Sequence, residues 1–280
     1  MLLEKILLCT DFSAPSEKLL NCIPELQDFG LHEVILLHVI DTDSMEAEEE
    51  ALDQKHEEKL ASIKKELQVS GFTVTVRVVF GIPSEEIIRV AEEEMVSLII
   101  LGSHGKGYIK SQYLGSTTFD VLRLSQIPLL IEKYVKLEDG EITAYCQQKF
   151  SKVLIPVDFS EACIEMIEKI KEIEGIKGII LVSVIEKSES HQELENSKKE
   201  WQERLNIMEE EFVNLGYKVE SFVREGVASK NIMEVAEKEE ATLIALATRG
   251  AGTIEELLIG STIDAIARQS KNPVLVFPSR

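Results

Sequence analysis

The sequence predicts an α/β protein of two doubly wound domains, each with a five-stranded parallel sheet in the strand order 3-2-1-4-5. Two observations support this fold class. The chain repeats itself: residues 81–131 and 226–276 share 20 identities in 51 positions, without a gap, at a constant offset of 145. In each half, short apolar runs rich in Val, Ile and Leu alternate with amphipathic stretches, a pattern typical of strand-helix-strand units.

The strand order follows from the handedness of the connections, because crossovers between parallel strands are right-handed almost without exception. Strands of the first half are predicted at residues 5–10, 33–40, 73–80, 97–101 and 128–132. The predicted domains are residues 1–135 and 150–280, and the weakly periodic segment 136–149 is predicted to link them.

A long amphipathic helix precedes the third strand of each half. Its apolar residues recur at spacings of three and four, which places them on one buried face. In the first half this face carries Leu52, His56, Leu60, Ile63 and Leu67, and in the second Leu194, Trp201, Leu205, Met208, Phe212 and Leu215. His56 and Trp201 are therefore interpreted as packing residues, not as ligands.

Composition narrows the classes of partner. The 280 residues carry 50 acidic and 30 basic side chains, a formal net charge of −20, which disfavours nucleic acid and anionic membranes as partners. No apolar stretch approaches the roughly 20 residues of a membrane-spanning helix, and Glu4, Lys5 and Asp11 interrupt any signal-peptide core. A cytoplasmic location is expected.

Cysteines and runs of acidic residues are possible metal ligands. No CxxC spacing occurs among Cys9, Cys22, Cys146 and Cys163, so buried free thiols are expected. The glutamate-rich runs at 46–50 and 92–94 are better explained as solvated helix faces and helix first turns than as a metal site.

The informative residues lie where strands one and four end. In a doubly wound sheet, ligands bind at the carboxyl ends of the strands beside the point where the strand order reverses. Asp11 follows strand one, and the loop GSHGKGYIKSQYLGST follows strand four. Its glycines, Gly102, Gly105 and Gly115, allow close backbone approach, and a helix beginning near Ser116 would offer free N–H groups to an anion. That geometry suits a polyphosphate.

With these motifs in both halves, the chain resembles a tandem member of the universal stress protein family. In nucleotide-binding members, a loop of the form G-x2-G-x9-G-[ST] holds phosphates and ribose, on a fold like that of the adenine nucleotide α-hydrolases. The resemblance implies ATP, or ADP or AMP, as ligand, with Mg²⁺ or Mn²⁺ accompanying the phosphates. Matched residue by residue, the first site comprises Cys9, Asp11, Val39, Gly102, Ser103, His104, Gly105, Lys106, Gly115, Ser116 and Thr117.

The resemblance also implies roles. Val39 would offer main-chain groups to the adenine, and Asp11 would meet a ribose hydroxyl or a metal-bound water. Amides near Gly105 and Gly115 would hold phosphate oxygens, together with the Ser116 and Thr117 hydroxyls. His104 and Lys106 are interpreted either as phosphate contacts or as solvated loop residues.

The second half keeps most of this pattern. Its matching residues are Pro156, Asp158, Val184, Ala247, Thr248, Arg249, Gly250, Gly260, Ser261 and Thr262. It departs at Ala247, where the first half has Gly102; the extra methyl would crowd a ribose or alter the turn. Arg249 replaces His104 and brings a fixed cation. Two sites are expected, with a single first-half site and no nucleotide site as the alternatives.

The expected function is that of a nucleotide-responsive regulatory or protective protein with an unknown protein partner. The P-loop GxxxxGK[ST] is absent from the sequence, and no nucleophile-and-base pair is evident. A slow ATP hydrolase or adenylyl-transferring enzyme, and a nucleotide-free interaction scaffold, are the alternatives. The apolar last strands of the two halves predict an internal pseudo-two-fold dimer. Homodimerisation between chains is left open.

Overall fold

The computed structural model describes residues 2–42, 49–103, 114–136, 142–144, 148–186, 191–248 and 259–279. The chain divides into two compact units, Met1–Ala144 and Tyr145–Arg280. Within the described residues, every helix is too short or too polar to serve as a membrane span.

The first unit has the predicted doubly wound architecture. Its parallel pairings give the order β3-β2-β1-β4-β5, which confirms the predicted 3-2-1-4-5. Its strands and helices are β1 (Lys5–Cys9), α1 (Ala14–Leu20), a 3₁₀ helix (Pro24–Phe29), β2 (Glu33–Asp41), α2 (Glu49–Val69), β3 (Thr73–Gly81), α3 (Pro83–Glu93), β4 (Leu98–Gly102), α4 (Ser116–Leu124), β5 (Leu129–Glu132), β6 (Tyr134–Lys136) and β7 (Ile142–Ala144).

The second unit repeats the arrangement. Its parallel strands run in the order β10-β9-β8-β11-β12. Its elements are β8 (Lys152–Pro156), α5 (Glu161–Lys171), β9 (Gly178–Ile185), α6 (His191–Asn214), β10 (Lys218–Glu225), α7 (Ala228–Lys238), β11 (Leu243–Ala247), α8 (Ser261–Gln269) and β12 (Val274–Phe277).

The central strands form the core of each unit. In β1 and β4 the side chains at 6–8 and 98–100 are fully buried, as expected for parallel strands covered on both faces. Right-handed crossovers put α1 and α2 on one face of the first sheet and α3 and α4 on the other. Contacts agree: Leu20 of α1 and Ile63 of α2 line one groove, and α3 packs on α4.

Two local features differ from the sequence-based expectation. Part of the segment predicted as a linker forms the antiparallel hairpin of β6 and β7, and β7 packs on α1 within the first unit. The buried face of α2 is confirmed at Leu60, Ile63 and Leu67. In the second half the stripe ends earlier than predicted: α6 stops at Asn214, and Leu215 is 58% exposed.

Candidate functional site

The candidate site of each unit lies at the carboxyl ends of its first and fourth strands. β1 pairs with β4, and β8 pairs with β11, so the residues that follow these strands share one rim of the sheet. This is where the strand order reverses, because β2 lies on the other side of β1. The described residues that follow these strands therefore lie at equivalent rims of the two units.

An aspartate turn follows the first strand in both units. Asp11 Oδ1 accepts hydrogen bonds from the Ser13 backbone N–H at 3.0 Å and the Ser13 hydroxyl at 2.5 Å. Asp158 Oδ1 accepts the same two bonds from Ser160, at 3.0 and 2.7 Å. These bonds fix each carboxylate at the rim, in the geometry of an Asx turn.

The residue after each aspartate has a left-handed backbone conformation. Phe12 has φ of 58° and Phe159 has φ of 60°. A bulky side chain rarely adopts this region, and the conformation costs about 1–2 kcal/mol. Sequence analysis did not single out these phenylalanines; their signal was the triplet Asp-Phe-Ser, present at 11–13 and again at 158–160. Strain of this kind concentrates at functional turns.

Hydrogen bonds fasten the start of α4 to the end of β4. The Gly115 N–H donates to the Ser103 carbonyl at 2.9 Å, and the Thr118 hydroxyl donates to the Gly102 carbonyl at 2.8 Å. Ser103 and Thr118 are both buried. The predicted loop residues Gly102, Ser103 and Gly115 are thus brought together, with Ser116 and Thr117 in the first turn of the helix.

The N-termini of α4 and α8 have no side-chain cap. Their N-cap residues are Gly115 and Gly260, neither of which provides a capping hydrogen bond. In contrast, α1 is capped by Ser13 and α5 by Ser160, whose hydroxyls accept from the third following amide. The first amides of α4 and α8 thus lack the usual side-chain acceptor, an arrangement suited to an external anion.

Neither of these N-cap positions requires glycine for the fold. Gly115 has φ of −57° and Gly260 has φ of −59°, values open to any residue. A Cβ on Gly115 would lie 3.6 Å from the Ser103 carbonyl oxygen, and one on Gly260 would lie 3.7 Å from Ile263 Cδ1, both ordinary contacts. Within the described parts of the chain, a methyl group at either position would therefore meet no close contact.

The replacement of Gly102 by Ala247 leaves the strand end unchanged. Both residues close their strands, β4 and β11, and neither has a positive φ. The turns that follow lie outside the described residues, so both the altered turn and the crowding of a ligand by the methyl stay predictions. Thr248, next to it, accepts a hydrogen bond from the Ser279 N–H at 2.8 Å.

Residues Val39 and Val184 occupy equivalent positions near the ends of β2 and β9, and both are half-buried. Cys9 and Pro156 end β1 and β8.

Burial raises the pKa of the Cys9 thiol far above its ordinary value, and it raises the pKa of Cys163 to about 12. Neither thiol is a thiolate at neutral pH, so neither is a ready nucleophile.

The end of β5 differs in character between the halves. Glu132 and Lys133 are buried there, whereas the second half has Phe277 and Pro278. Burial lowers the pKa of Lys133 to about 8. Tyr134 follows, and its pKa is raised by burial and then by nearby acidic groups, including Glu132 and Asp11. At these equivalent described positions, the first half has ionisable residues and the second half has none.

Five predicted site residues lie outside the described residues: His104, Gly105, Lys106, Arg249 and Gly250. Among the residues that are described, no three His, Cys, Asp or Glu side chains gather as ligands for one metal ion. A divalent cation at this rim would need other ligands, such as phosphate oxygens or water.

Comparison with known proteins agrees with the duplicated fold. The model of the universal stress protein family matches twice, at residues 3–133 and 149–278. The chain is similar to a universal stress protein of Archaeoglobus fulgidus of known structure, at a TM-score of 0.78 and 26% identity over 98% of each chain.

Single-domain relatives match about half of the chain. Universal stress protein MJ0577 of Methanocaldococcus jannaschii is 40% identical over an alignment of 153 positions, which covers 46% of this chain and 94% of that protein. Universal stress protein MJ0531 of the same organism is 32% identical over an alignment of 159 positions, which covers 53% of this chain and 92% of that protein. The chain therefore belongs to the universal stress protein family, as a tandem member with one family domain in each half.

Proposed function

We propose that this protein binds ATP or a related adenine nucleotide at the rim of each half and acts as a nucleotide-responsive regulatory or protective protein. The observation that carries the proposal is the uncapped start of α4, fastened to the end of β4 beside the strand that precedes Asp11. Helix N-termini that lack their own acceptors attract phosphate through free N–H groups and the helix dipole.

The residues of the rim fit a nucleotide in three respects. The glycines at 115 and 260 leave room for close approach of a phosphate group. Exposed hydroxyls of Ser116 and Ser261 stand in the first turns of α4 and α8. The carboxylates of Asp11 and Asp158 are oriented by their serines and suit a ribose hydroxyl or a metal-bound water. Magnesium or manganese would accompany the phosphates and lessen their repulsion by a chain of net charge −20.

Binding, and not turnover, is the activity that these groups support. The serines already hold one oxygen of each aspartate, and the thiols of Cys9 and Cys163 are neutral. Among the described residues we find no base oriented toward a nucleophile, the arrangement that efficient hydrolysis would need.

The test is calorimetry of the full chain with ATP, ADP and AMP in the presence of Mg²⁺, with acid release of any copurified nucleotide. We expect a Kd at or below the micromolar range for at least one adenine nucleotide. The double variant Gly115→Ala with Gly260→Ala should bind at least about tenfold more weakly, because each new methyl group occupies the space of a phosphate. Undiminished affinity in this variant, with an unchanged unfolding temperature, would place the site elsewhere.

A further inference from the structure

A cluster of rings and a cation surrounds the phenylalanine that follows each aspartate. In the first half, the Phe12 ring lies 4.4 Å from the His38 ring and 5.0 Å from the His56 ring, centroid to centroid. The two histidine rings are 4.6 Å apart, and Lys59 Nζ stands 4.9 Å from the Phe12 centroid. His56 and Lys59 both come from α2, one turn apart.

The second half builds the same cluster from different residues. The Phe159 ring lies 5.8 Å from the Trp201 ring, edge to face, and the Arg204 guanidinium carbon stands 3.7 Å from the Phe159 centroid. Trp201 and Arg204 occupy the places of His56 and Lys59 in the repeat. An aromatic ring and a cation on the long helix thus meet the phenylalanine in both halves, although the two copies no longer share those side chains.

Each cluster is tied to the backbone just before the aspartate. In the first half, the His38 ring nitrogen Nδ1 bonds to the Thr10 carbonyl at 2.8 Å. In the second half, Ser183 replaces His38 and its hydroxyl donates to the Val157 carbonyl at 2.6 Å. In each half, a side chain of the second strand therefore bonds to the carbonyl just before the aspartate. The phenylalanine just after the aspartate contacts the long helix.

We propose that the two clusters are positioning devices that hold Asp11 and Asp158 in the orientation that binds the nucleotide, and that they couple the long helices α2 and α6 to the occupied sites. This inference rests on the proposed function. The left-handed phenylalanine is the link, because it follows the aspartate directly in the chain and its ring contacts the ring on the long helix. Without the ring contacts, the turn would relax to a more common conformation.

The chain contains its own reporter of this coupling. Trp201 is its single tryptophan and belongs to the second cluster. If the second site binds, saturating Mg-ATP should change the emission of Trp201 under selective excitation. The double variant His56→Trp with Trp201→Phe moves the reporter to the first cluster, where the same test applies to the first site.

A double-mutant cycle in the full chain provides the decisive measurement. In each half that binds, the ring on the long helix is removed by His56→Ala or Trp201→Ala, and the carboxylate by Asp11→Asn or Asp158→Asn. We expect ring removal to weaken binding by about tenfold in the native background and by less than about twofold when the aspartate is already changed. The conservative variants His56→Trp and Trp201→Phe should restore most of the affinity.

The outcomes separate this inference from the proposed function. If the wild-type chain binds no adenine nucleotide by calorimetry, both fail. If it binds while ring removal leaves the affinity unchanged, or weakens it equally in both aspartate backgrounds, only the positioning proposal is overturned. Thermal unfolding of each variant serves as the control, since a cluster that merely stabilises the fold would lower the unfolding temperature and give additive effects on affinity.

Discussion

The two halves of this chain share an aspartate turn and differ in how they fasten the helix that follows the fourth strand. Asp11 and Asp158 make matching bonds to Ser13 and Ser160. The clamp between Thr118 and Gly102, however, has no counterpart, because Ile263 stands in the place of Thr118 and has no hydroxyl. The two copies thus share the aspartate turn and differ in this attachment of the helix.

Surroundings at the fifth strand diverge as well. The first half buries Glu132 and Lys133 where the second has Phe277 and Pro278. Apolar residues are favoured at a buried strand end, because burying a charge costs free energy unless the charge is compensated. The two halves therefore differ in ionisable residues at this strand end.

The largest expected effect concerns the glycines that both halves keep. Gly115→Ala alone should remove one of two nucleotide sites in calorimetry, and Gly260→Ala the other, each weakening its site by at least about tenfold. Unfolding free energy should change by less than about 1 kcal/mol, because each Cβ meets only ordinary contacts. A single variant that removes all binding would show that only one half is competent.

The next largest effect is a pH dependence of stability that arises from Lys133, whose equivalent in the second half is Pro278. Burial lowers its pKa to about 8, so between pH 8 and its ordinary value of 10.5 the unfolded chain binds the additional proton. Stability contributed by this residue therefore rises with pH across that window. The difference in unfolding free energy between wild type and Lys133→Met should therefore shift in favour of wild type by roughly 2–3 kcal/mol between pH 7 and pH 10.

Urea unfolding of wild type and Lys133→Met at a series of pH values measures that difference directly. Cys9, Cys163 and Tyr134 have raised pKa values, so their contributions to stability fall as the pH rises. These contributions are the same in both proteins and cancel in the comparison. A stability difference that does not change between pH 7 and 10 would contradict the assignment of a buried, readily neutralised lysine.

The clamp at Thr118 should matter less. Thr118→Val keeps the shape of this buried side chain but leaves the Gly102 carbonyl without its donor, and we expect a loss of about 1–2 kcal/mol in unfolding free energy. The matched control is Ile263→Val in the second half, where no hydroxyl is lost and about 1 kcal/mol is expected from the missing methylene. An unchanged unfolding free energy for Thr118→Val would mean that the clamp adds nothing to the first half.

The smallest expected effect on stability concerns the aspartate turn, which both halves share. Ser13→Ala and Ser160→Ala each remove an N-cap and a bond to the aspartate, and each should cost about 1 kcal/mol, by the same amount within error. Thermal unfolding with two resolved transitions, or hydrogen exchange of α1 and α5, reports each half separately. A clear inequality would show that the aspartate turn is not equivalent in the two copies.

Much of the fold was predictable because it depends on period and chirality. Apolar runs located the five parallel strands of the first half to within one residue at each end, and right-handed crossovers predicted their order. The hairpin of β6 and β7 was not foreseen, since its strands have only three residues each and carry little periodic signal. Short elements of this kind are determined by tertiary packing, here against α1.

The placement of Gly115 and Asp11 at one rim was predictable from the sequence. The contacts that hold these residues in place were not. Sequence spacing placed Gly115 and Asp11 on one rim, because strand ends of a parallel sheet converge. Left-handed conformations at Phe12 and Phe159 could not be foreseen, since nothing in the side chain favours them. The bond from Thr118 to Gly102 joins residues 16 apart across a loop, a distance at which spacing carries no register. The packing of the halves as an internal dimer stays a prediction.

The uncapped helix starts have a consequence for how the protein would behave in a cell. The first amides of such a helix are left to water or to a bound solute, and a solute that binds only the folded chain raises its stability. If the proposed nucleotide sites are correct, stability would rise logarithmically with the concentration of free nucleotide. The chain would then resist unfolding better where nucleotide is abundant than where it is scarce.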